Sequence, residues 1–147
     1  MSWNFKKFDE LTNIELYNLL RERTLVFVVE QNCPYLEVDG KDPFSYHLFK
    51  EDNGEIVAYL RILPAGVAYQ EASIGRVLVK KEYRGQGIAK DLLKKGLDFI
   101  QNELKETKVK IQAQDYLRKF YSSFGFQPIS ETYLEDSIPH VDMLLQR

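Results

Sequence analysis

Ser73-Ile74-Gly75-Arg76-Val77-Leu78-Val79-Lys80-Lys81-Glu82-Tyr83-Arg84-Gly85-Gln86-Gly87-Ile88-Ala89-Lys90 is the stretch on which the reading of the fold turns. Apolar and β-branched Ile74, Val77 and Val79 predict a strand over Ser73 to Lys80. A glycine-bearing loop follows, and a long amphipathic helix leaves it. Ile88, Leu92, Leu93, Leu97, Ile100 and Leu104 recur at steps of three and four along Ile88 to Leu104. The first backbone N–H groups of such a helix lack intrahelical partners, and its dipole turns a positive end outward, which suits a phosphate or diphosphate. Gly85 and Gly87 clear side chains from the approach, and Arg84 and Lys90 add positive charge. Two common phosphate loops fail here. The dinucleotide fingerprint needs glycine where Lys90 stands, and the nucleoside-triphosphate loop needs Lys and Ser or Thr where Ile88 and Ala89 stand.

Outward from this segment the pattern is mixed. Thr12 and Glu15 form a capping-box signature ahead of a helix to about Glu30, and Gln31 to Pro43 reads as a loop. Strands over Tyr46 to Glu51 and Glu55 to Leu63 flank Asn53-Gly54, a two-residue hairpin signal. After the long helix come a strand at Val109 to Ala113, a helix at Asp115 to Phe124 stopped by Gly125, and strands over Gln127 to Leu134 and His140 to Leu145. The order β-α-β-β-β-α-β-α-β-β predicts a single α/β domain over residues 1–147.

Composition narrows the function classes. The 147 residues carry a net charge of −2, which disfavours a general nucleic-acid binder. The lysines at Lys80-Lys81 and Lys90 to Lys95 read as a solvated helix face or as a local patch beside a phosphorylated cofactor. No apolar run reaches the roughly 18 residues of a membrane span, and the start lacks a signal-peptide core, so a cytoplasmic protein is expected. The one cysteine, Cys33, permits no internal disulfide and no usual zinc site; it reads as a small buried residue, with a nucleophilic role beside His47 or His140 as the lesser option.

Arg84-x-x-Gly87-x-Ala89 between a strand and a long helix resembles the acetyl-CoA signature of the Gcn5-related N-acetyltransferase superfamily. Tyr121-Ser122-Ser123-Phe124-Gly125-Phe126 resembles the segment that ends its last helix, with Gln114 where many members have Asn. Phe27 to Asp42 and Asp136 to Val141 are similar to the ElaA-like branch. The resemblance implies a mixed, mostly antiparallel sheet, flanked by helices, whose fourth and fifth strands splay apart around coenzyme A. It implies that Val77, Leu78 and Val79 offer backbone groups to the pantetheine arm. Gly85, Gln86, Gly87, Ile88, Ala89 and Lys90 would hold the diphosphate beside Arg84, and Gln114 would lie near the thioester.

The implied chemistry is transfer of an acetyl group from acetyl-CoA to a primary amine of a small molecule or peptide, by direct attack and without a metal. The Leu78 N–H is the expected oxyanion donor and Tyr121 the expected acid for the departing thiolate. The general base is open. Val109 stands where some members carry Glu, leaving His47, Glu30, Glu37, Asp39 and His140 as candidates. The acidic stretches Glu37 to Asp42 and Glu135-Asp136 would attract a cationic amine if they converge. The oligomeric state is open, a homodimer through the late strands being one option. Two rivals remain: a coenzyme A sensor without turnover, favoured by Val109 and Gln114, and a fold-only relative that binds a protein.

Overall fold

The computed structural model describes residues 2–147. The chain runs β1 (Ser2–Lys7), α1 (Asn13–Thr24), β2 (Tyr46–Asp52), β3 (Glu55–Leu63), β4 (Ser73–Val79), α2 (Ile88–Asn102), β5 (Lys108–Gln114), α3 (Arg118–Ser122), β6 (Gln127–Pro128), β7 (Tyr133–Glu135) and β8 (Ile138–Gln146). The capping box forms as expected: the Glu15 N–H donates to Thr12 Oγ1 at 3.1 Å and the Thr12 N–H to Glu15 Oε1 at 2.9 Å. Asn53 and Gly54 both take positive φ, 52° and 79°, and turn β2 into β3.

Three boundaries differ from the sequence reading. The first helix reaches Glu30 only by changing register, with a π-helical stretch over Leu25–Glu30. Gln31 N–H bonds Val26 carbonyl and Cys33 N–H bonds Val28 carbonyl, five residues back in each case. The expected helix at Asp115 to Phe124 is a 3-10 turn followed by the five-residue α3. The expected strand over Gln127 to Leu134 is two short pieces, β6 and β7, both paired with β8. Pro128 has no N–H to extend a ladder, and Asp136 and Ser137, at φ 52° and 64°, make the tight turn that lets β8 begin at Ile138.

Strands β1-β2-β3-β4 form one antiparallel sheet, and β5, β8 and β6 with β7 form a second. Among the described residues the two sheets meet at a single parallel bridge, Ala72 to Val109, beside a 2.9 Å bond from Lys110 N–H to Ala72 carbonyl. Beyond it β4 and β5 part, which is the splay expected from the resemblance. Strand β3 is buried along nearly its whole length because α2 covers one face and α1 the other. Ile88, Leu92, Leu93, Leu97 and Ile100 of α2 lie in the main core, and Gly96 lets the helix sit against Leu60, whose Cδ2 would stand 3.1 Å from an added Cβ. The lysine-rich side of α2 faces outward: Lys94 pairs with Asp98, and Lys95 lies over the Trp3 ring.

Candidate active site

The loop between β4 and α2 presents the expected anion cradle. Gly85 and Gly87 hold φ of 79° and 81°, and a Cβ built on either meets nothing within 4 Å. Their glycine requirement is therefore conformational, and the space before them is open. Gly87 caps α2 with no side-chain bond, and its carbonyl takes its first helical bond from Asp91 N–H. The N–H groups of Ile88, Ala89 and Lys90 are left without an intrahelical partner. Arg84 does not reach over the cradle. Its Nε donates to Val79 carbonyl at 2.8 Å, and its two terminal nitrogens hold Glu30 at 2.9 and 3.0 Å. Glu30, a candidate base in the sequence, is thus one half of a two-pronged ion pair that braces the loop.

Strand β4 is bulged where it faces the splay. Arg76 takes φ 53°, and the register with β3 shifts between Tyr59 and Arg61, leaving an extra residue on β4. Lys80 N–H donates to Val57 carbonyl at 2.8 Å, so Lys80 and Val57 are a hydrogen-bonded pair. Antiparallel pairs alternate, which makes Leu78 opposite Tyr59 hydrogen-bonded as well and turns Val79 toward the open side. Arg84 takes the Val79 carbonyl from that side. This geometry corrects the oxyanion expectation: the Leu78 N–H faces β3, its side chain is buried under α1, and the free edge belongs to Val77 and Val79.

A cavity of about 830 Å³ runs from Gly87 along β4 to Gln114, Tyr121 and His140. Gln114 exchanges amide bonds of 3.2 and 3.4 Å with Gln31, so the end of the π-helical stretch and the end of β5 clasp each other beside the splay. Gln31 was not singled out from the sequence. Tyr121 is 7% exposed, lines the cavity, and has no hydrogen-bond partner for its phenol among the described residues. Burial, reinforced by Tyr116, pushes its pKa well above the usual phenol value, so the hydroxyl keeps its proton. Its ring is set edge-on against Phe120 and Phe126. Val109, where an acid was missing, is buried in the main core.

Two other candidate bases are structural. His47 is fully buried and does not line the cavity. Its Nε2 lies 3.1 Å from Asp42 carbonyl, which only accepts, so Nε2 carries the hydrogen and Nδ1 accepts the Tyr59 hydroxyl at 2.6 Å. The acidic loop is neutralised from within. Glu37 receives Arg23 and Arg76, Asp39 receives Arg61, and Asp42 receives Arg23 and Arg61. Of the expected acidic convergence, Asp39, Glu135 and Asp136 do line the cavity, but Asp39 is matched by Arg61, while Glu135 and Asp136 have no ion pair among the described residues. Cys33 also lines the cavity, with its thiol 3.5 Å from Asp136 carbonyl rather than beside a histidine ring.

These groups make stability sensitive to acid in two stages. Burial holds His47 below its ordinary value of 6.5, so the unfolded chain takes that proton first and folding loses stability as pH falls below about 6.5. Burial opposes ionisation of Asp39 and Asp42, but the hydrogen bonds and charges of Arg61 and Arg23 prevail and hold both below the ordinary 3.8. Their contribution is complete above about pH 4 and is lost as pH falls further. Thermal unfolding followed by circular dichroism should therefore show a melting temperature that declines gently from pH 7 to 5 and steeply below 4. A flat profile from pH 7 to 5 contradicts the account of His47.

Among the described residues no helix is long and apolar enough to cross a membrane, and no His, Cys, Asp and Glu group is arranged to hold a metal ion. Comparison with known proteins agrees with the geometry. The family model for an acetyltransferase (GNAT) domain matches residues 21–147. Protein ElaA of Escherichia coli K12 is 41% identical over 145 residues, covering 97% of this chain and 95% of that one. The crystal structure of an acyl-CoA N-acyltransferase from Pseudomonas aeruginosa superposes with a TM-score of 0.94 at 41% identity, covering 98% of each chain. The crystal structure of Escherichia coli ElaA gives 0.93 at 40% identity, covering 99% of this chain and all of that one. Matched by that family model over residues 21–147 and by these relatives over nearly its whole length, this protein belongs to the GNAT acetyltransferase family and to its ElaA-like branch.

Proposed function

We propose that this acyltransferase uses acetyl-CoA as co-substrate and acetylates a primary amine of a small molecule or peptide. The observation that supports it is the meeting, in one cavity, of the unpaired N–H groups of α2, the free edge of β4 and the protonated Tyr121 hydroxyl. The bound co-substrate supplies an acyl carbon activated as a thioester and a thiolate as leaving group. The cradle from Gly85 to Lys90 accepts its diphosphate, and the edge of Val77 and Val79 its pantetheine amides. Val77 N–H, on the same open side of the bulge, replaces Leu78 as donor to the acyl oxygen; a fixed backbone dipole needs little reorganisation. Tyr121 Oη–H delivers a proton to the sulfur. Burial disfavours phenolate and thiolate alike, so the transfer stays balanced despite the raised phenol pKa. Glu135 and Asp136 give the acceptor end uncompensated negative charge, which suits an ammonium-bearing substrate.

Gly87→Val should weaken coenzyme A binding at least tenfold, about 1.4 kcal/mol, because a β-branched residue resists φ near 81° and the helix start must shift. Titration calorimetry with coenzyme A checks this; unchanged affinity contradicts the cradle. The reaction is tested by incubating the protein with acetyl-CoA and primary amines and following thiol release. Amine-dependent release supports the enzyme, whereas tight binding without release identifies a coenzyme A sensor.

A further inference from the structure

We propose that His140 takes the proton from the substrate ammonium, an assignment that rests on the acyl-transfer reading. His140 stands at the start of β8, directly opposite Gln114 of β5. Neighbouring Val141 and Met143 show which face of β8 enters the core, so His140 and Gln114 share the other face, the one lining the cavity. Its Nδ1 lies 2.7 Å from the carbonyl of Ile138. That oxygen only accepts, so Nδ1 bears the hydrogen and the neutral ring offers its lone pair at Nε2. Nε2 has no partner among the described residues. The ring is further held by Tyr133, stacked with its centroid at 6.4 Å, and by Pro139, which restricts the backbone of Ile138.

The other four bases named from the sequence are occupied elsewhere. His47, the other of the two histidines, is sealed behind Tyr59; Glu30 is bound to Arg84; Glu37 and Asp39 are bound to arginines. The titratable groups around His140 are Tyr133 and Glu135 on β7, Asp136 in the turn, Asp142 further along β8, Tyr69 before β4 and Cys33 after α1.

The proton count closes. One ammonium proton passes to Nε2 and on to solvent. The neutral nitrogen forms the C–N bond as the C–S bond breaks, and its surplus proton ends on the sulfur through Tyr121, whose hydroxyl is restored. The products are the acetamide, free thiol and one released proton.

The test compares wild type with His140→Gln and His140→Asn, using acetyl-CoA with tyramine, spermidine or a lysine-bearing tripeptide across pH 6 to 10. In both variants kcat/KM should fall about 100-fold near neutrality, within the usual range for general-base catalysis. The deficit should narrow toward pH 10, where the amine sheds its proton unaided. Coenzyme A affinity by calorimetry should stay within about twofold. A deficit equal at every pH, or wild-type rates, overturns the assignment. So does nitrogen NMR of the neutral wild-type ring showing the hydrogen on Nε2, a result that does not depend on how the variants fold. If the wild type binds coenzyme A but turns over none of the amines, the acyl-transfer reading fails and His140 loses its role with it.

Discussion

Tyr121→Phe is expected to lower kcat by about 100- to 1,000-fold while leaving coenzyme A affinity and the melting temperature nearly unchanged. The substitution removes one oxygen and keeps the ring that packs edge-on against Phe120 and Phe126, so the core around α3 is preserved. The lost hydroxyl faces the cavity without a partner among the described residues, so its removal orphans no donor or acceptor there. On the proposed mechanism, what disappears is the proton for the departing sulfur, an interaction made as the bond breaks and therefore read in kcat rather than KM. Steady-state kinetics with acetyl-CoA and an accepted amine measures it. A kcat within threefold of wild type contradicts the role, and a change confined to KM makes Tyr121 a positioning residue.

Arg23→Ala should be the most damaging change to stability, at about 3–5 kcal/mol, the usual cost of removing one side of a buried ion pair. Arg23 is 0% exposed and gives Nε and one terminal nitrogen to Glu37 Oε2 at 3.1 and 2.6 Å, and the other to Asp42 Oδ1 at 2.7 Å. Its loss leaves two carboxylates underpaired in a site where Asp42 Oδ2 already lacks a partner. For a chain of this length the melting temperature should fall by roughly 10 °C or more. Arg23→Lys should restore little, because a point charge does not reproduce the guanidinium fork. Because Glu37 also receives the Tyr35 hydroxyl at 2.7 Å, the same loss loosens the cavity wall formed by the loop after α1. Thermal unfolding of both variants decides the matter; a drop under about 3 °C contradicts the network's role.

The parts legible in the sequence were those governed by local rules. The α2 periodicity, the Thr12 capping box, the Asn53-Gly54 turn and the glycines at 85 and 87 depend on near neighbours, and each formed as read. The Leu78 assignment failed because strand register decides which N–H is free, and a bulge resets it. The signal was present: Ile74 and Val77 are three apart where a flat strand steps by two, and the extra residue is Arg76. His47 misled because its proton affinity is a property of the ring, whereas its seclusion depends on Asp42 and Tyr59 meeting across the fold. The acidic loop misled for a related reason. Glu37, Asp39 and Asp42 draw their cations from α1, β3 and β4, and no local spacing announces a partner 14 to 39 residues away. The Gln31–Gln114 clasp spans 83 residues and needed the register change at Leu25–Glu30 to form.

The central claim is that main-chain donors at the start of α2 and along the free edge of β4 hold coenzyme A. Amide NMR of the full chain titrated with coenzyme A tests it most directly. The account predicts saturable shifts largest at Gly85 to Lys90 and at Val77 and Val79, with Leu78 moving less. Absence of shifts at millimolar coenzyme A, or shifts centred on other residues, contradicts it.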